Sequence, residues 1–147
     1  MREGYARLRL EVGFESKPRL TWVRVWFLEP VEGTPEEVRR KWEEVVKKLE
    51  EEFPEYDDWE MPAWLAYTGR ARRDRGAKYC RLEVVLPKGF YYAEVHARDY
   101  APAGFKFRLT DDVEVSIELL RRMGRDDFYY MGTYYPHRSE RGARKGG

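Results

Sequence analysis

The chain contains neither asparagine nor glutamine. Both are thermolabile amides, and their absence beside a charged fraction of 37% is the compositional mark of a protein that works hot. The same gap removes the bidentate amide contact to adenine, which argues against adenine-specific reading of duplex DNA. A single cysteine, Cys80, excludes an intrachain disulfide framework and a cysteine zinc site. The only histidines, His96 and His137, offer no metal-ligand spacing. The acidic pairs Asp57-Asp58 and Asp126-Asp127 read as helix-start or turn residues. Glycines 33, 69, 76 and 89 punctuate the chain, and none belongs to a phosphate-cradling loop after a strand. No metal or cofactor is therefore expected. No run approaches the roughly 18 apolar residues of a membrane span, and the first residues carry no signal-peptide layout, so the expectation is a cytoplasmic protein without a membrane partner. No internal repeat or leucine heptad is evident.

What is present is aromatic and arginine-rich. The 147 residues hold 5 Trp, 11 Tyr and 7 Phe, and Arg outnumbers Lys 20 to 8. Lysine would serve solubility equally well, whereas arginine offers a planar, weakly hydrated fork for phosphates and aromatic faces. The net charge of +1 conceals a division: residues 34–60 sum to −6 and residues 61–110 to +6. Overall neutrality thus leaves room for a local phosphate-binding surface. Length predicts one domain, residues 1–135, followed by a basic, flexible tail over 136–147.

The most informative stretch runs from Leu20 to Leu28. Side chains alternate across a strand, so Val23, Val25 and Phe27 share one face and Trp22, Arg24 and Trp26 the other. The first set reads as core. The second sets a guanidinium between two indoles, a poor core layer because a buried arginine must be paired. Exposed, it would stack bases and hold phosphates. Covered, it would be core or a protein interface.

Ala6, Leu8, Leu10, Val12 and Phe14 form the apolar face of an earlier strand. Paired with it as a hairpin, the Trp22 strand would gain Arg7 and Arg9 beside its aromatic stripe. Thr34-Pro35-Glu36-Glu37 predicts a helix over 34–53 with Thr34 as cap and Trp42 on its apolar side. Residues 55–76 read as an irregular connection that ends in a mobile basic loop with Arg70, Arg72, Arg73 and Arg75. Residues 78–86 and 90–99 read as a second hairpin turning at Pro87-Lys88-Gly89, and 105–109 as a short fifth strand. Residues 111–124 alternate like a strand, yet Asp111-Asp112 at the start and Gly124 at the end favour a helix. The predicted fold is α+β: an antiparallel sheet of four to five strands packed by one long and one or more shorter helices.

Three functional readings follow. In the first, single-stranded DNA or RNA stacks on Trp22, Trp26, Tyr79 and Tyr92, while Arg24, Arg81 and the arginines named above contact phosphate. In the second, Glu94, His96 and Arg98 on one strand face supply the base, acid and phosphate stabiliser of a metal-independent ribonuclease-like enzyme. In the third, the aromatic face is a protein interface, with self-association as one form of it.

The stripe Trp22/Arg24/Trp26, the long amphipathic helix over 34–53, the aromatic-basic segment 59–75 and the missing amides together resemble the ThermoDBP group. These are single-stranded DNA-binding proteins and their relatives in hyperthermophilic archaea. The resemblance implies an antiparallel sheet with packed helices and an aromatic, basic cleft for single strands. The tyrosine-rich, then basic, end departs from the leucine-zipper members.

Overall fold

Alternation of apolar and polar residues dictates most of this molecule. The computed structural model describes residues 2–56 and 64–136; residues 57–63, with Trp59 and Asp57-Asp58, and the predicted tail from 137 onward lie outside the described residues. Eight strands form in chain order: β1 (Tyr5–Phe14), β2 (Thr21–Pro30), β3 (Trp64–Arg73), β4 (Cys80–Pro87), β5 (Gly89–Ala97), β6 (Ala103–Leu109), β7 (Val113–Leu119) and β8 (Tyr129–Tyr134). Among the described residues there is one α-helix, α1 (Glu36–Glu52), between β2 and β3.

The strands join in one sheet in the order β7-β1-β4-β3-β2-β5-β6-β8. β1–β7 and β6–β8 are parallel and the other pairs antiparallel. The sheet nearly closes into a barrel. Near its seam, Ala101 N donates to Leu120 O at 2.9 Å and Arg122 N to Asp99 O at 3.1 Å, which ties the start of β6 to the end of β7. Closure removes most of the exposed edge that an open sheet would present.

The inward faces follow the period-two pattern. Leu8, Leu10 and Val12 of β1, Val23, Val25 and Phe27 of β2, Tyr91, Ala93 and Val95 of β5, Phe105 and Phe107 of β6, and Val113 and Val115 of β7 are all buried. Tyr91 stacks on Phe107 with ring centroids 5.1 Å apart, and Phe27 lies 4.6 Å from Tyr91. Each such ring contributes about 1.5–3 kcal/mol by leaving water.

This mixed, nearly closed barrel replaces the antiparallel four-to-five-stranded sheet packed by helices that the sequence predicts. Residues 113–119 form a strand because Val113, Val115, Ile117 and Leu119 all find core, and pairing beside β1 outweighs the helix-start signal of Asp111-Asp112. Asp112 instead accepts the Arg7 backbone N–H at 2.9 Å. The segment expected to be irregular contains β3, and the aromatic end of the chain contributes β8.

Neither expected hairpin forms. β1 pairs with β4 and β7, and β2 with β3 and β5. Their connection crosses one barrel end, where the buried Tyr100 hydroxyl accepts from Ser16 N at 3.1 Å and donates to Lys17 O at 2.8 Å. At the other end, Lys88 N donates to Gly4 O at 2.8 Å and Lys88 O accepts from Thr34 Oγ1, so the β4–β5 connection also crosses rather than turns.

α1 sits at that second end. Val38 is buried, Trp42 Nε1 donates to Leu28 O at 3.1 Å, and Lys41 Nζ stands 4.7 Å from the Trp64 ring centre. Thr34 does not cap the helix, whose N-cap position is Pro35. Its hydroxyl is occupied by the 31–34 turn, accepting from Val31 N at 3.0 Å.

Candidate nucleic-acid interface

The outer face of β3, β2, β5, β6 and β8 carries three rungs of side chains set by strand register. The first is Arg70–Trp22–His96; the second is Thr68–Arg24–Glu94–Gly104–Tyr130; the third is Leu65–Trp26–Tyr92–Lys106–Thr133. Trp22 is 42% exposed and Tyr130 53%, so these rings are open to solvent while Val23 and Val25 beside them are fully buried. The predicted division of β2 into a core face and an open aromatic-arginine face is therefore present. The Arg70 guanidinium stands 5.4 Å from the Trp22 ring centre, a cation–π distance.

Gly104 shapes the middle of the face. A side chain there would meet the Tyr92 hydroxyl and, at 2.8 Å, the tip of the Phe128 ring. Its bare backbone lets both rings lie over β6. Phe128 is 49% exposed and immediately precedes β8. Burial, then Glu94 and Tyr130, push the Tyr92 hydroxyl above the ordinary tyrosine pKa, keeping it a neutral donor at neutral pH.

Glu94 is the only acid in the three rungs. Trp26 Nε1 donates to its Oε1 at 2.8 Å, while His96 Nε2 lies 3.5 Å from its Oε2 without making a hydrogen bond. Around it stand Arg24, Arg70 and Lys106, which leaves the face locally positive. Stacking rings among cations suit a single nucleic-acid strand, in which bases and phosphates must be met side by side.

Of the residues expected at this site, the structure gathers Trp22, Arg24, Trp26, Tyr92 and Arg70. Arg7 and Arg9 sit on β1, away from β2, and are committed to carboxylates: Arg7 to Glu83 at 3.0 Å, and Arg9 to Glu114 at 3.3 Å and Glu83 at 3.6 Å. Arg81 pairs with Asp74, which raises its pKa through a hydrogen bond and charge, and it stands 5.8 Å from the ring centre of Tyr79. Arg70, Arg72 and Arg73 are strand residues rather than a mobile loop, and the Arg73 Nε–H is held by Ala77 O at 2.8 Å. Arg75 occupies the exposed turn that follows. Of the ribonuclease-like set, Glu94 and His96 adjoin, and Arg98 is exposed just past the end of β5.

Phe128, Tyr130 and Gly104 were not legible as site residues. Their strands had to be placed side by side first, and β8 pairs with β6 at a sequence separation of 26 or 27 residues. The dense run Phe128-Tyr129-Tyr130 was the one available signal.

Among the described residues, no group of three or more His, Cys, Asp or Glu is placed to hold a metal ion. No helix among them is long and apolar enough to cross a membrane. No protein family and no curated protein matches this chain.

Proposed function

We propose that this protein binds single-stranded DNA or RNA with little sequence preference, on the outer face of β3, β2, β5, β6 and β8. The observation that carries this reading is the exposure of Trp22, Tyr130 and Phe128 on the same continuous sheet surface as Arg24 and Arg70. Each stacked base is worth about 1–3 kcal/mol, and π-faces are common to all bases, so the affinity is sequence-tolerant. Arginines beside the rings release counterions from the backbone, which makes binding salt-dependent.

The barrel wall beneath the face is rigid, with Val23, Val25, Ala93 and Val95 fully buried. A pre-organised platform loses little entropy on binding. The test is anisotropy of a labelled oligonucleotide, single-stranded and duplex, across a salt series. Tight binding of the single strand that weakens with salt, and weaker binding of duplex, supports the reading. No binding at low salt overturns it.

A second reading keeps the same residues as a protein interface. It is favoured by the exposed apolar side chains of Leu65, Phe128 and Tyr130 on that face. Sedimentation of the free protein separates the two: concentration-dependent assembly that shields the tryptophans, without nucleic-acid affinity, belongs to the interface.

A further inference from the structure

β3 and β4 are paired at only two positions, Arg72 with Arg81 and Arg73 with Cys80. Beyond these the strands part, and a groove of about 860 Å³ opens on the outer surface. Tyr67, packed against the core from β3, forms part of its wall. Arg70 belongs both to this groove and to the aromatic face, since it stands over Trp22. A strand lying on the face meets the groove at Arg70.

One rung of outward side chains crosses the groove: Arg72 on β3, Arg81 on β4, Glu11 on β1 and Ser116 on β7. Arg72 and Arg81 are directly opposite each other, and like charges so placed on neighbouring strands cost stability. Asp74 neutralises Arg81 alone. Among the described residues no carboxylate pairs with Arg72 or Arg70, so this rim holds two uncommitted guanidiniums. The far side differs. Arg9 is spent on Glu83 and Glu114, while Glu11 is exposed and makes no ion pair among the described residues. Cations on one rim and the exposed Glu11 carboxylate, which faces Arg81 but forms no direct ion pair with it, about two strand spacings away, roughly 9–10 Å, match the two ends of one nucleotide.

We propose that this groove takes a single nucleotide of the bound strand, with its phosphate at Arg70 and Arg72 and its base edge at Glu11 and Ser116. The inference rests on the stacking reading above and adds a base preference to it. A carboxylate set against position 4 of the ring accepts from the exocyclic amino group of cytosine, whereas thymine presents a carbonyl acceptor there and keeps its one donor, N3–H, at the next position along the edge. Two pyrimidines of one size are thereby distinguished at one subsite.

The experiment compares oligo(dC) with oligo(dT) of equal length, by anisotropy over a salt series, for the native protein, Arg72→Ala and Glu11→Ala. The native protein is expected to hold oligo(dC) on the order of tenfold more tightly. Glu11→Ala should erase that difference without weakening oligo(dT). Arg72→Ala should lower the slope of log affinity against log salt by about 0.7 for both, the loss of one phosphate contact. Equal binding of the two by the native protein, a preference that survives Glu11→Ala, or an unchanged slope in Arg72→Ala overturns the groove assignment. If the native protein binds oligonucleotides and Trp22→Ala weakens them, any of those results leaves the stacking face standing. Absence of binding by the native protein at low salt removes both.

Discussion

The Trp26 indole N–H donates to Glu94 Oε1 at 2.8 Å, joining an aromatic of β2 to the one acid of the three rungs. The bond fixes the orientation of the half-buried indole. It also places a negative charge where a phosphate backbone would run.

Glu94→Gln separates these two effects. The amide carbonyl still accepts from Trp26, and the opposing charge is gone. The thermal transition should shift little, within about 0.5 kcal/mol, as for most changes that keep a hydrogen bond. Affinity for single strands should rise a few-fold at low salt and converge with the native value at high salt. Weaker binding would mean that Glu94 contacts the ligand favourably.

Three glycines give a graded test of the geometry. At Gly104 a methyl group collides with the exposed ends of Tyr92 and Phe128, which can swing away. Gly104→Ala should therefore lose binding several-fold while the fold persists. At Gly89 a methyl group lies 2.6 Å from the buried Phe27 ring, which has nowhere to go. Gly89→Ala should cost about 1–3 kcal/mol in denaturant unfolding. At Gly13 the nearest atom is Ile117 O at 3.7 Å, an ordinary contact, and Gly13→Ala should change neither property.

Alkaline stability follows from Tyr91. Burial pushes its hydroxyl well above the ordinary tyrosine value of about 10, and it donates to Pro87 O. A folded-state pKa above the unfolded one means that the stabilisation is complete below pH of about 10 and is lost as pH rises toward the folded value. Denaturant midpoints measured from pH 8 to 11, within about these bounds, should fall steeply at the top of the range. Tyr91→Phe should start lower, because Pro87 O loses its donor, and should decline less steeply.

Strand existence was largely readable from the sequence, because period two survives in isolation. β1 and β2 announce themselves by alternation, and the open face of Trp22, Arg24 and Trp26 follows from parity alone. Strand order was not readable. Short connections suggest hairpins, yet Tyr100 and Thr34 carry the two connections across the barrel ends through contacts 83 and 54 residues distant in sequence. That misplacement moved Arg7 and Arg9 onto the wrong neighbours, where Glu83 and Glu114 hold them. β7 illustrates a competition of signals: helix-start aspartates lose to four apolar residues that the core can receive only from a strand.

The central claim is that Trp22 and its neighbours stack bases, and tryptophan fluorescence tests it most directly. The native protein and Trp22→Ala are titrated with a single-stranded oligonucleotide at low and high salt. The account predicts quenching of the native protein that salt reverses. In Trp22→Ala it predicts a much smaller quench, affinity reduced by about 1–3 kcal/mol and an unchanged thermal transition. Native-like quenching and affinity in Trp22→Ala, or no response from the native protein at low salt, would contradict it.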